Sequence, residues 1–261
     1  MLSALQSIQM IDNNLARSQA TTASDPVVKR ETNYYLAHIG SIKTSKDFVK
    51  NYQLFSYAMT AYGLSDMTYA KSMMQKVMDG GVTNTKSLAN EMSDVRFKVF
   101  AAAFNFGDKG ATATSSATNN RTTTSMFVEQ TLENNVGQQN QGAQLALYFQ
   151  RQAPNIKSGL QILGDKALFQ FVQTAFGIPP VVSSNALDQA AKNIESRVNM
   201  ANLKDPAKVQ KMVTRFAAMW DAQNSDPTTI NPALAVFSLA SSTPNLGSDL
   251  LLRAQQLYGK F

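Results

Sequence analysis

Apolar residues recur along this chain at helical spacing from beginning to end. Leu2, Leu5, Ile8, Ile11 and Leu15 fall on one face of residues 2–20, with Gln, Asn, Asp and Arg opposite, which predicts an amphipathic helix. Asp25-Pro26 then predicts a fresh start, an N-cap followed by a proline whose missing N–H costs nothing in the first turn. Leu54, Phe55, Ala58 and Tyr62 form the next strong face, and Gly63 is placed to end that helix in the left-handed conformation. Met67, Met73, Met74, Val77 and Met78 make a methionine-rich face before Gly80-Gly81, which reads as filling for an irregular core ahead of an adaptable binding surface. Residues 95–106 are strongly apolar and read as a buried helix.

Residues 107–125 are rich in Thr, Ser and Asn and show no apolar periodicity, so they read as a flexible connection. Helical spacing returns at Met126. It continues through the stretches around Tyr148, Leu168, Ile194 and Phe216. Three prolines, Pro227, Pro232 and Pro244, mark an irregular tail. Ser248-Asp249 then caps a last amphipathic stripe of Leu250, Leu251, Leu257, Tyr258 and Phe261. Nowhere does apolar alternation of period two persist, so the expected class is all-α.

One stretch occurs twice. Residues 34–64 align without a gap to residues 148–178, and eight of the 31 pairs are identical: Tyr34/Tyr148, Ile42/Ile156, Lys43/Lys157, Leu54/Leu168, Phe55/Phe169, Thr60/Thr174, Ala61/Ala175 and Gly63/Gly177. Chance pairing gives roughly one identity in fifteen for ordinary composition. The expected organisation is therefore two related helical-bundle repeats. The division is an N-terminal amphipathic helix (1–24), repeat 1 (25–106), the linker (107–125), repeat 2 (126–223), an irregular Pro/Ser/Thr tail (224–247) and a C-terminal amphipathic helix (248–261). Similarity between the copies fades beyond Gly63 and Gly177.

Composition narrows the chemistry. There is no Cys in the 261 residues and one His, His38, so neither a thiolate nucleophile nor a Cys/His metal site is expected. The carboxylates sit mostly at predicted helix ends, where capping accounts for them. No Gly-rich phosphate loop and no calcium loop is present. The net charge is +6, but Lys and Arg are scattered; the densest group is Lys43, Lys46 and Lys50. That pattern is a solvated basic surface, and no nucleic-acid site is expected. No apolar run reaches the roughly 18 residues of a membrane span. The first ten residues lack the basic and apolar regions of a secretory signal. The reading is a non-enzyme, with no catalytic, cofactor or metal residues.

Three stretches carry a family likeness: Asp25 to Gly40 (DPVVKRETNYYLAHIG), Tyr57 to Ala70 (YAMTAYGLSDMTYA) and Phe97 to Asp108, joined by Asp205 to Asp221. Together they resemble an alphaproteobacterial, rhizobial-type family of duplicated helical domains of unknown function, typically encoded among flagellar genes. The likeness covers about residues 20–222 and carries no catalytic residues. It implies a structural or assembly component of the bacterial flagellum, located in the flagellum or secreted by the flagellar export route. Its partners would be other flagellar proteins or further copies of itself. The alternative is a cytoplasmic adaptor or chaperone for flagellar export, with the Met67–Met78 face as its groove. The candidate contact residues are the terminal stripes: Leu2, Leu5, Ile8, Ile11 and Leu15 at one end, and Leu250, Leu251, Leu257, Tyr258 and Phe261 at the other.

Overall fold

The computed structural model describes residues 2–179 and 187–224. The chain divides into a body, Met1–Trp220, and a second unit, Asp221–Phe261, of which residues 221–224 are described. The predicted tail and the C-terminal stripe, Leu250, Leu251, Leu257, Tyr258 and Phe261, lie outside the described residues.

The fold is all-α. In chain order the helices are α1 (Ala4–Asp12), α2 (Leu15–Ser24), α3 (Pro26–His38), α4 (Ser45–Lys50), α5 (Tyr52–Ala61), α6 (Lys71–Asp79), α7 (Leu88–Glu91) and α8 (Val95–Ala103). They are followed by α9 (Phe106–Lys109), α10 (Ala117–Gln139), α11 (Gln141–Gln152), α12 (Gly159–Gly164), α13 (Lys166–Phe176), α14 (Leu187–Arg197) and α15 (Pro206–Asn224). Local chemistry sets many of the ends. Asp25 accepts from the Val27 and Val28 amides at the start of α3, at 2.8 and 3.2 Å, with Pro26 beside it. Gly63 and Gly177 both have positive φ, +69° and +62°, after the two copies of the repeated helix, where a Cβ would be strained.

The two halves carry the same succession of elements. In the first, α3 leads through a 3₁₀ turn, Ile39–Ser41, to α4 and α5. In the second, α11 leads through a 3₁₀ turn, Ala153–Asn155, to α12 and α13. The packing matches as well: α3 and α4 pack on α5, and α11 and α12 pack on α13. Equivalent rings stack, Tyr35 on Tyr57 at 4.6 Å between centroids and Phe149 on Phe171 at 3.8 Å. Beyond the glycines, where the sequences part, the correspondence continues. Helix α6 packs on α4 as α14 packs on α12. Individual side chains changed between the copies while the pairing of helices was kept, because a packed core tolerates apolar exchange if its total volume and pattern are kept.

Two cores result. The first gathers Tyr35, Phe48, Phe55, Met74, Phe100 and Phe104, among others. The second gathers Phe149, Phe171, Ile194, Val213 and Phe216, and it also takes Ala4 and Ile8 from α1. A side chain from one half ties them. Arg96, at the start of α8, donates to the Gly63 carbonyl at 2.6 Å and to Asp94 at 2.8 Å, and lies 3.5 Å from Asp165 at the start of α13. Burial opposes its charge, but the Asp94 bond and the Asp165 charge outweigh that and hold its pKa above the ordinary value.

Two expectations are corrected and one is met. Residues 107–125 are not a flexible connection: α9 covers 106–109, and Ser116 caps α10 by accepting from the Asn119 amide. The face of α10 over 117–125 is polar because its contacts are polar. Thr123 is buried, bonds back to the Asn119 carbonyl and meets the Tyr62 hydroxyl at 3.3 Å. The N-terminal stretch is two helices, since the chain breaks at Asn13-Asn14 between α1 and α2. The Met67–Met78 face fills the core, as its spacing predicts, and so offers no groove to the adaptor alternative. Met74 and Met78 are fully buried, and Met67 and Met73 pack against the same core, where a flexible thioether fills irregular space.

Candidate functional site

The N-terminal stripe does not present one surface. Ile8 and Ile11 are buried, and Leu5 is half-buried against the second core. Leu2 and Leu15 remain exposed, at 50% and 44%. Helix α1 lies on α11, and α2 lies on α3 and α10. Ser3 starts α1 with a reciprocal capping box to Gln6. Asn140 Nδ2 donates to the Leu2 carbonyl at 3.2 Å, which pins the entry of the chain to the junction of α10 and α11.

The bend at Asn13-Asn14 leaves a cleft of ≈ 240 Å³ between α1, α2, α10 and α11. Two helices supply its far wall with the same spacing. On α10 these are Glu129, Leu132 and Glu133, and on α11 they are Leu147, Gln150 and Arg151. Residues three and four apart share a helix face, so each helix offers one leucine and two polar groups. Ile11, Asp12, Leu15 and Gln19 close the near side. Ile11, Leu132 and Leu147 form a small core of their own at the base.

Charge in the cleft is unevenly matched. Arg151 is held by Glu133 in a two-pronged pair at 2.6 and 2.8 Å, and it also donates to Gln130 at 2.9 Å. Its guanidinium lies 5.2 Å from the Tyr148 ring centroid. Burial raises the Glu133 pKa against the opposing pull of Arg151. Arg151 in turn is held above its ordinary value, because its bonds to Glu133 outweigh the burial that opposes its charge. The other two carboxylates are answered mainly by neutral amides. Gln19 donates to Glu129 at 3.4 Å, and Gln150 donates to Asp12 at 3.3 Å. Glu129 lies 4.0 Å from Arg151.

Gln150 has a fixed orientation. Its amide nitrogen also donates to Gln210 Oε1 at 3.0 Å, and turning the amide over would set its oxygen against the Asp12 carboxylate. Its Oε1 is buried without a hydrogen-bond partner. None of the described residues lining the cleft is a Ser, His or Lys. The arrangement suits recognition of a polar group on an apolar stem.

Sequence reasoning reached Ile11 and Leu15 through their periodicity and missed Glu129, Glu133, Gln150 and Arg151. The spacing of Glu129 and Glu133 on one helix face was visible, but their pairing with Arg151 is long-range. Elsewhere, His38 is exposed, stacks on Tyr34 at 4.1 Å between centroids and bonds to the Tyr34 carbonyl at 2.8 Å. Among the described residues no group of three or more His, Asp or Glu side chains could hold a metal ion. No helix there is long and apolar enough to cross a membrane.

No curated protein matches the chain. Among solved structures it is similar to the X-ray crystal structure of a protein from Agrobacterium tumefaciens. The two are 38% identical with a TM-score of 0.79, over 86% of this chain and 97% of the other. A family model described as "Protein of unknown function (DUF1217)" matches residues 61–209, more than half of the chain, and the chain therefore belongs to the DUF1217 family.

Proposed function

We propose that this protein works by protein–protein contact, without catalysing a reaction, as a structural or assembly component of the bacterial flagellum. The observation that carries the contact reading is the cleft between α1, α2, α10 and α11, with Leu15 exposed at its edge and polar groups set among leucines. Such a mixture of apolar wall and few polar groups is typical of recognition sites. The flagellar assignment rests on the family likeness carried by residues such as Asp25 to Gly40 and Tyr57 to Ala70. Its partners are then other flagellar proteins or further copies of this chain.

Location and swimming test this together. An epitope inserted at Gly110, an exposed turn with open space around it, reports the protein in cytoplasm, culture supernatant and purified hook–basal bodies. Recovery outside the cytoplasm that depends on the export apparatus supports a structural role. Recovery only in the cytoplasm, from cells that still swim, overturns it and favours an adaptor that acts before export.

A further inference from the structure

We infer that the cleft between α1, α2, α10 and α11 receives a basic side chain with an apolar stem, a lysine or arginine presented by a partner polypeptide. The inference rests on the contact reading above and adds the chemistry of the partner. Three carboxylates face this space, Asp12, Glu129 and Glu133, against one cation, Arg151. Arg151 is committed to Glu133 through two short bonds. Asp12 and Glu129 are hydrogen-bonded by the uncharged amides of Gln150 and Gln19, which satisfy geometry but leave the charge. The Glu129 side chain is 34% exposed, so an incoming cation can reach it.

A further feature matches the same guest. Ile11, Leu132 and Leu147 line the base, and the methylene stem of Lys or Arg covers such surface while its head stays polar. An anionic guest would instead meet a wall with three carboxylates and one cation. A neutral apolar side chain would fill the base but leave that excess of negative charge unanswered.

The test uses the full chain, isotope-labelled, with three probes of one length: n-hexylammonium, n-hexanol and n-hexanoate. Saturable amide shifts at Ile11, Leu15 and Leu147 are expected with n-hexylammonium, with n-hexanoate about tenfold weaker or absent, in line with one or two partly exposed charge contacts. The double variant Asp12→Asn, Glu129→Gln should bind n-hexylammonium about tenfold more weakly and n-hexanol unchanged. Should that variant fail to fold, the wild-type protein must still lose n-hexylammonium affinity, and not n-hexanol affinity, as salt is raised. Equal binding of n-hexanoate, or no shift at these amides, overturns the inference. Either result leaves the contact reading standing. That reading fails separately, if Leu15→Asp leaves swimming and incorporation unchanged.

Discussion

Asn51 and Asp165 hold the same place in two copies of one motif. Each caps the repeated helix of its half: Asn51 accepts from the Leu54 amide at 3.2 Å, and Asp165 accepts from Ala167 and Leu168 at 2.9 and 3.2 Å. Each also bonds the equivalent tyrosine two helices earlier, in α3 or α11. Asn51 donates to the Tyr34 hydroxyl at 3.3 Å, whereas the Tyr148 hydroxyl donates to Asp165. The reversal lets Asp165 add a charge, and that charge faces Arg96 from the other half. One copy keeps a local cap, and the other makes the cap part of the joint between the cores.

Substitutions at the two positions should therefore differ. Asp165→Asn retains a good N-cap but removes the charge facing Arg96, inside a site that is 1% exposed, and should cost about 1–3 kcal/mol. Asn51→Asp should change stability by less than about 1 kcal/mol, since Tyr34 can turn to donate. Urea unfolding of both variants measures the contrast. Equal losses would mean that Asp165 serves only as a cap.

Gly164 marks the same joint by close approach. A Cβ there would stand 2.7 Å from the Ser93 carbonyl carbon and oxygen, and backbone cannot give way as a side chain can. Gly164→Ala should cost about 1–3 kcal/mol by overpacking. Gly40→Ala is the control, because nothing lies within 4 Å of its Cβ position. Thermal unfolding of the pair separates steric cost from the general effect of replacing glycine.

Removing Arg151 leaves Glu133 buried and alone. Arg151→Met should cost about 3–5 kcal/mol at neutral pH, the usual result of breaking one side of a buried pair. Burial already raises the Glu133 pKa, and losing the arginine raises it further. A carboxyl whose folded pKa exceeds its unfolded value binds more protons when folded, so its stability contribution is lost as pH rises. The variant should thus regain stability relative to wild type as pH falls from neutral toward the ordinary carboxylate range. A pH series of urea midpoints checks this, and a deficit independent of pH would argue against it.

Asp108 behaves in the opposite sense. It accepts from Thr83 Oγ1 at 2.6 Å, from Asn105 at 2.7 Å and from the Val82 and Thr83 amides, and these bonds, led by the Thr83 hydroxyl, lower its pKa from 3.8 to about 2. Here the unfolded state binds more protons, so the contribution is full above pH 3.8 and is lost as pH falls toward about 2. Hydrogen exchange at Val82 and Thr83, corrected for intrinsic rates, should lose protection across that window. Asp108→Asn should lack the step.

The N-terminal stripe should sort into two classes. Ile8→Ala removes a fully buried side chain and should cost about 2–5 kcal/mol. Leu15→Ala, at the exposed edge of the cleft, should stay within about 0.5 kcal/mol while weakening a partner complex. Unfolding and incorporation assays on the same variants distinguish core from contact.

Much of this fold was legible one helix at a time. Gly63 and Gly177 end the repeated helices because a positive φ is cheapest without a Cβ. The cap at Asp25 follows from a short acceptor ahead of an apolar run. The misreading of 107–125 has an equally local cause: apolar period was the criterion, and α10 buries Thr123 there in place of an apolar residue. A signal was available, since residues 111–136 contain neither Gly nor Pro and Ser116 can cap them.

What the sequence by itself determined was the helical class, the duplicated segment and the glycines that end it. These depend on neighbours within a few residues or on repetition along the chain. Only the tertiary structure decided that Ile8 and Ile11 serve the protein's own core while Leu15 does not. It alone brought Arg96 to Gly63 and Asp165, and Arg151 to Glu133 beside Asp12. Those pairs join residues far apart in the chain, and their energy comes from burial and charge that exist only once the helices have packed.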